Sequence, residues 1–165
     1  FDASAYGLEP SAYKIIANIP YNITGAILKK FLTANRQPEM MVLMVQHEVA
    51  KRIMARDKKE SILSISVKAY GEPKMIMKVN KRYFSPAPKV DSAVIKIENI
   101  SRKFFLGNKI KEERFWEIVK TGFAHKRKKL SSNLKSLCQG ASLTHLGYKR
   151  AEDLTLAEWI EFVKN

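Results

Sequence analysis

The chain has 165 residues, 45% of them hydrophobic, which is enough for one domain or one and a half around a real core. Its 30 Lys and Arg against 16 Asp and Glu leave a formal charge of +14, a surplus that favours a polyanionic partner through counterion release. The lone cysteine, Cys138, excludes an internal disulfide and a cysteine-clustered metal site, and its apolar spacing suits core packing. No apolar run approaches the roughly 18 residues of a membrane span, and no charged segment followed by an apolar stretch and cleavage site opens the chain. The expectation is a soluble, cytoplasmic protein drawn to nucleic acid, with no membrane partner. No metal is expected, because His47, His125 and His145 lack ligand spacing.

Residues 14–17 read as a short buried strand, and residues 23–32 have the apolar spacing of a helix. Between them stands Asn-Ile-Pro-Tyr-Asn. Asn and Pro are common turn formers, so this stretch is either an ordinary strand-to-helix connection or a site. Residues 40–45 form a continuous apolar run of strand length, followed by the helical spacing of QHEVAKRIMAR. Residues 62–70 are mostly apolar and fit a strand or a helix. KMIMKVN and SAVIKIENI alternate apolar and polar residues and read as two strands in an antiparallel hairpin at a sheet edge. Pro86 and Pro88 in the intervening KRYFSPAPKVDS exclude a regular ladder and imply a fixed extended loop. Strands alternating with helices give an α/β sheet over residues 1–100.

After residue 101 the period changes. KEERFWEIVKTGFAH, KLSSNLKSLCQ and LAEWIEFVKN are amphipathic helix candidates, and Thr155 with Glu158 makes a capping box for the last. Residues 101–165 are therefore expected to form a small all-helical domain, with Trp116 and Trp159 on core-facing sides. Each half carries +7, from 16 basic and 9 acidic residues before position 101 and 14 and 7 after it, so charge is denser in the shorter half. Between Glu117 and Glu152 lie eight cations and no acid: Lys120, Lys126, Arg127, Lys128, Lys129, Lys135, Lys149 and Arg150. A charge run is usually a solvated face, but an acid-free span of this length is a candidate RNA-docking surface. If residues 126–129 continue a helix, their side chains fan out by about 100° per residue and cannot all meet one strand of phosphates.

At the carboxyl end of a strand in an open α/β sheet, the place where such sheets bind ligands, Asn18 to Tyr21 suit one task. The Asn18 side-chain oxygen and the Ile19 carbonyl, aimed by Pro20, can accept both hydrogens of an exocyclic amine while Tyr21 lies flat on the attached ring. Two acceptors favour a pyramidal nitrogen whose lone pair is free to attack a methyl group. Positioning and charge stabilisation then supply the catalysis.

NIPYNI resembles the catalytic motif of the ribosomal RNA adenine N6,N6-dimethyltransferases, the KsgA type and its erythromycin-resistance relatives. QHEVAKRIMA and YFSPAPKVDSAVIKI resemble two further blocks of that family in the right order. FAHKRKKLSSNL and GYKRAEDLTLAEW resemble the helical domain of the KsgA branch. The resemblance implies the later part of a Rossmann-like S-adenosylmethionine methyltransferase sheet followed by a helical domain. It implies dimethylation of N6 on two adjacent adenines of small-subunit rRNA, with a role in ribosome biogenesis and the pre-30S particle as partner. By that likeness Phe84 lies on the opposite side of the target adenine from Tyr21. Asp2 in FDA matches a residue that contacts the cofactor's adenine, beside Asn18. Asp91 is implied to be structural. The glycines at 7, 25, 71, 107, 122, 140 and 147 are too dispersed for the family's glycine-rich cofactor loop, so most of the S-adenosylmethionine site is expected to be missing and this chain inactive alone. A monomer is expected. Two other readings stay open: a non-catalytic RNA-binding or ribosome-assembly module, and a large-subunit rRNA methyltransferase of the erythromycin-resistance type.

Overall fold

A computed structural model describes residues 5 and 7, residues 13–137 and residues 146–164; Asp2, Cys138 and His145 lie outside the described residues. Four strands form one sheet: β1 (Lys14–Asn18), β2 (Met40–Gln46), β3 (Glu72–Val79) and β4 (Ser92–Glu98), in the order β1-β2-β4-β3. The crossover through α1 (Thr24–Leu32) makes β1 and β2 parallel, with Lys14 opposite Met40 and Asn18 opposite Met44. Antiparallel β4 is inserted between β2 and β3. The β3–β4 hairpin thus exists as the sequence pattern predicts, but its second strand is interior and only β3 is an edge.

β2 alternates between fully buried and half-buried residues. Met41, Leu43 and Val45 share one face with the core, and Ile95 and Ile97 of β4 are equally inaccessible. Helices α1, α2 (His47–Met54) and α3 (Ile62–Lys68) supply Leu28, Leu32, Ala50, Ile53, Ile65 and Val67 to that core. The ambiguity over residues 62–70 resolves as helix because of its start. The Ser61 hydroxyl accepts from Ser64 N at 3.1 Å, and the Ser64 hydroxyl accepts from Ser61 N at 2.7 Å. This reciprocal cap satisfies two orphan amide donors.

After β4 come α4 (Lys103–Asn108), α5 (Glu112–Gly122), α6 (Leu130–Asn133) and α7 (Leu156–Lys164), with no further strand among the described residues. α4 is absent from the sequence reading: six residues without a side-chain cap carry no strong period. It delivers Phe104 and Phe105 to an aromatic cluster with Phe115, Trp116 and Tyr70, centroids 4.9 to 6.4 Å apart. The cluster continues the sheet's core into the helical part. Trp159 is fully buried, and Trp116, half-buried, donates its indole N–H to the Tyr70 hydroxyl at 3.1 Å. Burial, then the hydrogen bond to Glu112, pushes the Tyr70 phenol above the ordinary tyrosine range and keeps it a donor. The predicted capping box at α7 is present, with Thr155 N donating to Glu158 Oε2 at 2.8 Å and Glu158 N to Thr155 Oγ1 at 3.3 Å.

The helical part is packed closely where α5 meets α7. A Cβ on Gly122 would stand 2.5 Å from the Trp159 ring and 3.0 Å from Leu130, both fully buried. Gly122→Ala is therefore expected to destabilise the fold by about 1–3 kcal/mol, the usual cost of overpacking. Urea unfolding measures this; an unchanged midpoint would mean that the α5–α7 contact is loose.

Candidate active site

The carboxyl ends of β1 and β2 lie on one edge of the sheet. Because β4 runs the other way, its first residues reach that same edge, with Ser92 opposite both Gln46 and Val79. The chain leaves β1 at Asn18, and Pro20 is extended at φ −58° and ψ 134°. Tyr21–Ile23 then form one 3-10 turn into α1. Ile23 N donates to Pro20 O at 3.2 Å and Thr24 Oγ1 to Tyr21 O at 3.1 Å, which fixes the turn from within. Ile19 is buried beneath it, while the Asn18 side chain is exposed and has no hydrogen-bond partner among the described residues.

Asn18, Ile19, Pro20 and Tyr21 line one cleft with Phe84, Pro86 and Pro88, about 340 Å³ in volume. All five residues predicted as catalytic from sequence are brought together here. Two adjacent residues hold the walls. The hydroxyls of Tyr21 and buried Ser92 share a 2.6 Å hydrogen bond. The Asp91 carboxylate accepts Lys81 N at 3.0 Å and pairs with Lys78 at 2.7 Å, and its carbonyl accepts His47 N at 2.9 Å. The hydrogen bond to Lys78, then that to Lys81 N, holds the Asp91 carboxyl below the usual carboxylate range. Asp91 thus fastens the start of the loop that carries Phe84, and Ser92 fastens Tyr21. The Ser92 bond has no local signal: its partner is 71 positions away.

The basic run departs from expectation. Residues 123–129 form turns and bends, not a helix. α5 stops because Asn133 takes its next acceptors: Asn133 Nδ2 donates to Gly122 O at 2.6 Å and to His125 O at 3.2 Å. Lys126 N would otherwise be the helical donor to Gly122 O. KLSSNLKSLCQ likewise shortens to the single turn of α6, followed by turns to residue 137. Lys126, Arg127, Lys128 and Lys129 are all exposed on the tight turn. The segment holding Lys149 and Arg150 joins them, since Leu130 N donates to Lys149 O at 2.9 Å and Ser131 N to Gly147 O at 3.0 Å. Lys149 is a weaker candidate than the sequence suggests. Its ammonium is ion-paired and hydrogen-bonded to Glu158, which raises its pKa. Arg150 is exposed beside it; Lys120 is exposed on α5 and Lys135 on the turn after α6.

A second basic feature escaped the sequence reading. A cleft of about 800 Å³ runs between α2 and the helical part, lined by Lys51, Arg52, Arg56 and Lys126, which outnumber its acids Glu48 and Asp57. Its Lys59 and Glu60 are neutralised by Glu152 and Lys68. The spacing within AKRIMARDKK contained this signal, and HKRKK overshadowed it.

The inserted antiparallel strand and the aromatic cleft at the carboxyl edge define a Rossmann-like methyltransferase sheet. The chain belongs to the ribosomal RNA adenine dimethylase family, whose sequence profile it matches over residues 8–164. It is 38% identical over 159 residues to the ribosomal RNA small subunit methyltransferase A of Dehalococcoides mccartyi, covering 89% of this chain and 53% of that protein. The protein of the same name from Nostoc punctiforme is 40% identical over 161 residues, with 89% and 55% covered. The chain thus spans about half the length of these relatives. In fold it is similar to a dimethyladenosine transferase from Plasmodium falciparum, with TM-score 0.76 and 24% identity over 94% of this chain and 66% of that one. It is also similar to the 23S rRNA methyltransferase ErmE, with TM-score 0.72 and 23% identity over 95% and 67%.

If Ser92 acts on the cleft through Tyr21, the two hydroxyls are coupled. Ser92→Ala and Tyr21→Phe should each cost about 1 kcal/mol, and the double variant little more than either alone. Urea unfolding of the four proteins tests this; fully additive costs would show that the contact contributes nothing.

Proposed function

We propose that the protein to which this chain belongs is an S-adenosylmethionine-dependent rRNA adenine N6,N6-dimethyltransferase. Its target is two adjacent adenines of small-subunit rRNA in the assembling particle, within the cytoplasm. The observation that carries this reading is the single cleft uniting Asn18, Ile19, Pro20 and Tyr21 with Phe84. Relatives named for the small subunit, at 38% and 40% identity, favour that target over the large subunit.

The target base must leave its stack to be modified. Tyr21, held by Ser92, and Phe84, held by the loop that Asp91 fastens, supply aromatic surfaces for the extracted ring. The free Asn18 side-chain oxygen and the Ile19 carbonyl accept the N6 hydrogens, so the nitrogen turns pyramidal and its lone pair becomes available. S-adenosylmethionine supplies the methyl group when bound. The described residues fit the acceptor side of its site, with Asn18 exposed at the strand end. Asp2 is the one further cofactor contact that the resemblance suggests. No general base is required before attack, because preorganised acceptors and alignment lower the barrier. The N6 proton leaves to water after transfer, when the methylated nitrogen carries positive charge and is acidic.

Two experiments test the reading. In the full-length protein, Asn18→Ala should keep the fold and RNA binding yet lose about 10²–10³ in methyl-transfer rate, the cost of removing one preorganised polar group at a reacting centre. Methylation within a few-fold of wild type would refute the role of Asn18.

The RNA-docking role of residues 101–165 has an independent readout. Each phosphate contact contributes roughly 0.7–0.9 to the slope of log K against log salt. Replacing Lys126, Arg127, Lys128 and Lys129 by Ala should lower that slope by about 2 and weaken all RNAs alike. Filter binding at several salt concentrations measures it; an unchanged slope would leave the turn a solvated surface.

A further inference from the structure

Tyr83 is 69% exposed, yet it is not a loose surface ring. It ends the 3-10 turn Lys81–Tyr83, whose start is capped by Asn80: the Asn80 side-chain oxygen accepts Arg82 N at 3.0 Å. The same turn is tied to the sheet by Asp91, through Lys81 N at 3.0 Å. The Arg82 guanidinium lies over the Tyr83 ring, 5.0 Å from its centroid, and donates to the Tyr83 hydroxyl at 2.9 Å. The next residue is Phe84, which lines the cleft. Lys81 and Lys89 on the same loop are exposed cations.

We propose that Tyr83, braced by Arg82, is a stacking shelf for one unpaired base of single-stranded RNA, the neighbour of the base held in the Asn18–Phe84 cleft. This deepens the reading above and rests on it for the presence of RNA. A scattered exposed aromatic is ordinary on a protein surface. Here the ring is held by a cation and by a capped, anchored turn, one residue before the cleft-lining Phe84, on a loop rich in positive charge. Arg82 occupies one face of the ring and leaves the other for a single base. Aromatic–base stacking is tolerant of base identity, so the shelf sets the position and path of the strand and not its sequence. It is formally distinct from the phosphate contacts of the basic turn, because a stacked base releases no counterion and adds nothing to the salt slope.

The test uses the full-length protein and short single-stranded RNAs carrying two adjacent adenines, with 2-aminopurine placed on either the 5′ or the 3′ side of the pair. Stacking on an aromatic ring quenches this fluorophore. Wild type and Tyr83→Phe are expected to quench the probe on one side. Tyr83→Ala and Tyr83→Leu should lose that quenching and bind about five- to tenfold more weakly, with the salt slope unchanged. Tyr83→Ala that binds and quenches like wild type overturns the shelf. So does a loss of affinity accompanied by a lower salt slope, which would mark a displaced phosphate contact. Wild type that binds none of these RNAs overturns the shelf together with the RNA reading, whereas a shelf that fails while wild type binds leaves the methyltransferase reading intact.

Discussion

The cleft depends on where β4 begins. A parallel strand in that position would bring its first residues to the far edge of the sheet. Inserted antiparallel, β4 places Asp91 and Ser92 between the carboxyl ends of β2 and β3, next to the turn that follows β1. From there two adjacent side chains act in opposite directions. Ser92 reaches Tyr21, and Asp91 reaches Lys78 and Lys81 at the base of the Phe84 loop. The separation of the two aromatic walls is thus set by one residue step on a buried central strand, and not by the loops themselves. Positioning of this kind suits chemistry that relies on alignment more than on proton transfer.

The helical part is joined to the sheet at two separate places. Arg102 Nε donates to Glu112 at 3.1 Å, while its terminal nitrogens donate to Ala34 O at 3.0 Å and Thr33 O at 2.9 Å. Tyr70 adds its hydroxyl to the same carboxylate, so α5 is fastened near the ends of α1 and α3. The second tie is on the other side of the helical part, where Glu60 N donates to Glu152 O at 2.7 Å and Lys59 pairs with the Glu152 side chain at 2.6 Å. Two ties on different elements resist rotation as well as separation. Lys126 therefore keeps its station on the rim of the basic cleft beside α2.

Much of this was legible in the sequence, and the failures have physical causes. Long helices and the hairpin strands were readable because burial on one face writes a period into them, as in residues 92–98 and 112–122. Residues 40–45 were readable because an unbroken apolar run of that length fits a strand. The cleft-lining set was readable because NIPYN and the PxP loop each confine their residues locally, although only the fold brings Phe84 to the same cleft as Tyr21. What escaped depends on partners distant in sequence or on very short signals. Asn133 ends α5 by capturing carbonyls eight and eleven positions back, so HKRKK, which has no apolar period of its own, forms a turn. The Ser61–Ser64 box that makes residues 62–68 helical lacks the usual acidic partner. The place of β4 inside the sheet follows from pairing with β2, about a third of the chain away, which no alternation pattern encodes.

The surface divides its work between two kinds of force. Long-range attraction to a polyanion would come chiefly from the cations of the turn at residues 126–129. A smaller share would come from the cleft beside α2, where Glu48 and Asp57 offset Lys51, Arg52 and Arg56. Attraction of this kind is graded by salt and indifferent to sequence. On the proposed reading such a field would gather RNA but could not choose an atom on it. Choice begins in the cleft, where the groups are neutral: one amide, the Ile19 carbonyl, three prolines and two aromatic rings. A neutral cleft at the edge of a charged surface lets the backbone stay outside on cations while a base enters an environment that offers rings and hydrogen-bond acceptors. Adenine presents two N6 hydrogens to those acceptors, whereas guanine and uracil present a carbonyl oxygen at the equivalent ring position, which two acceptor oxygens would repel. On the proposed reading, the two oxygens that prepare the nitrogen for methylation would also exclude guanine and uracil. Cytosine, whose N4 amine offers two hydrogens as well, would have to be separated by the size of its ring against the aromatic walls.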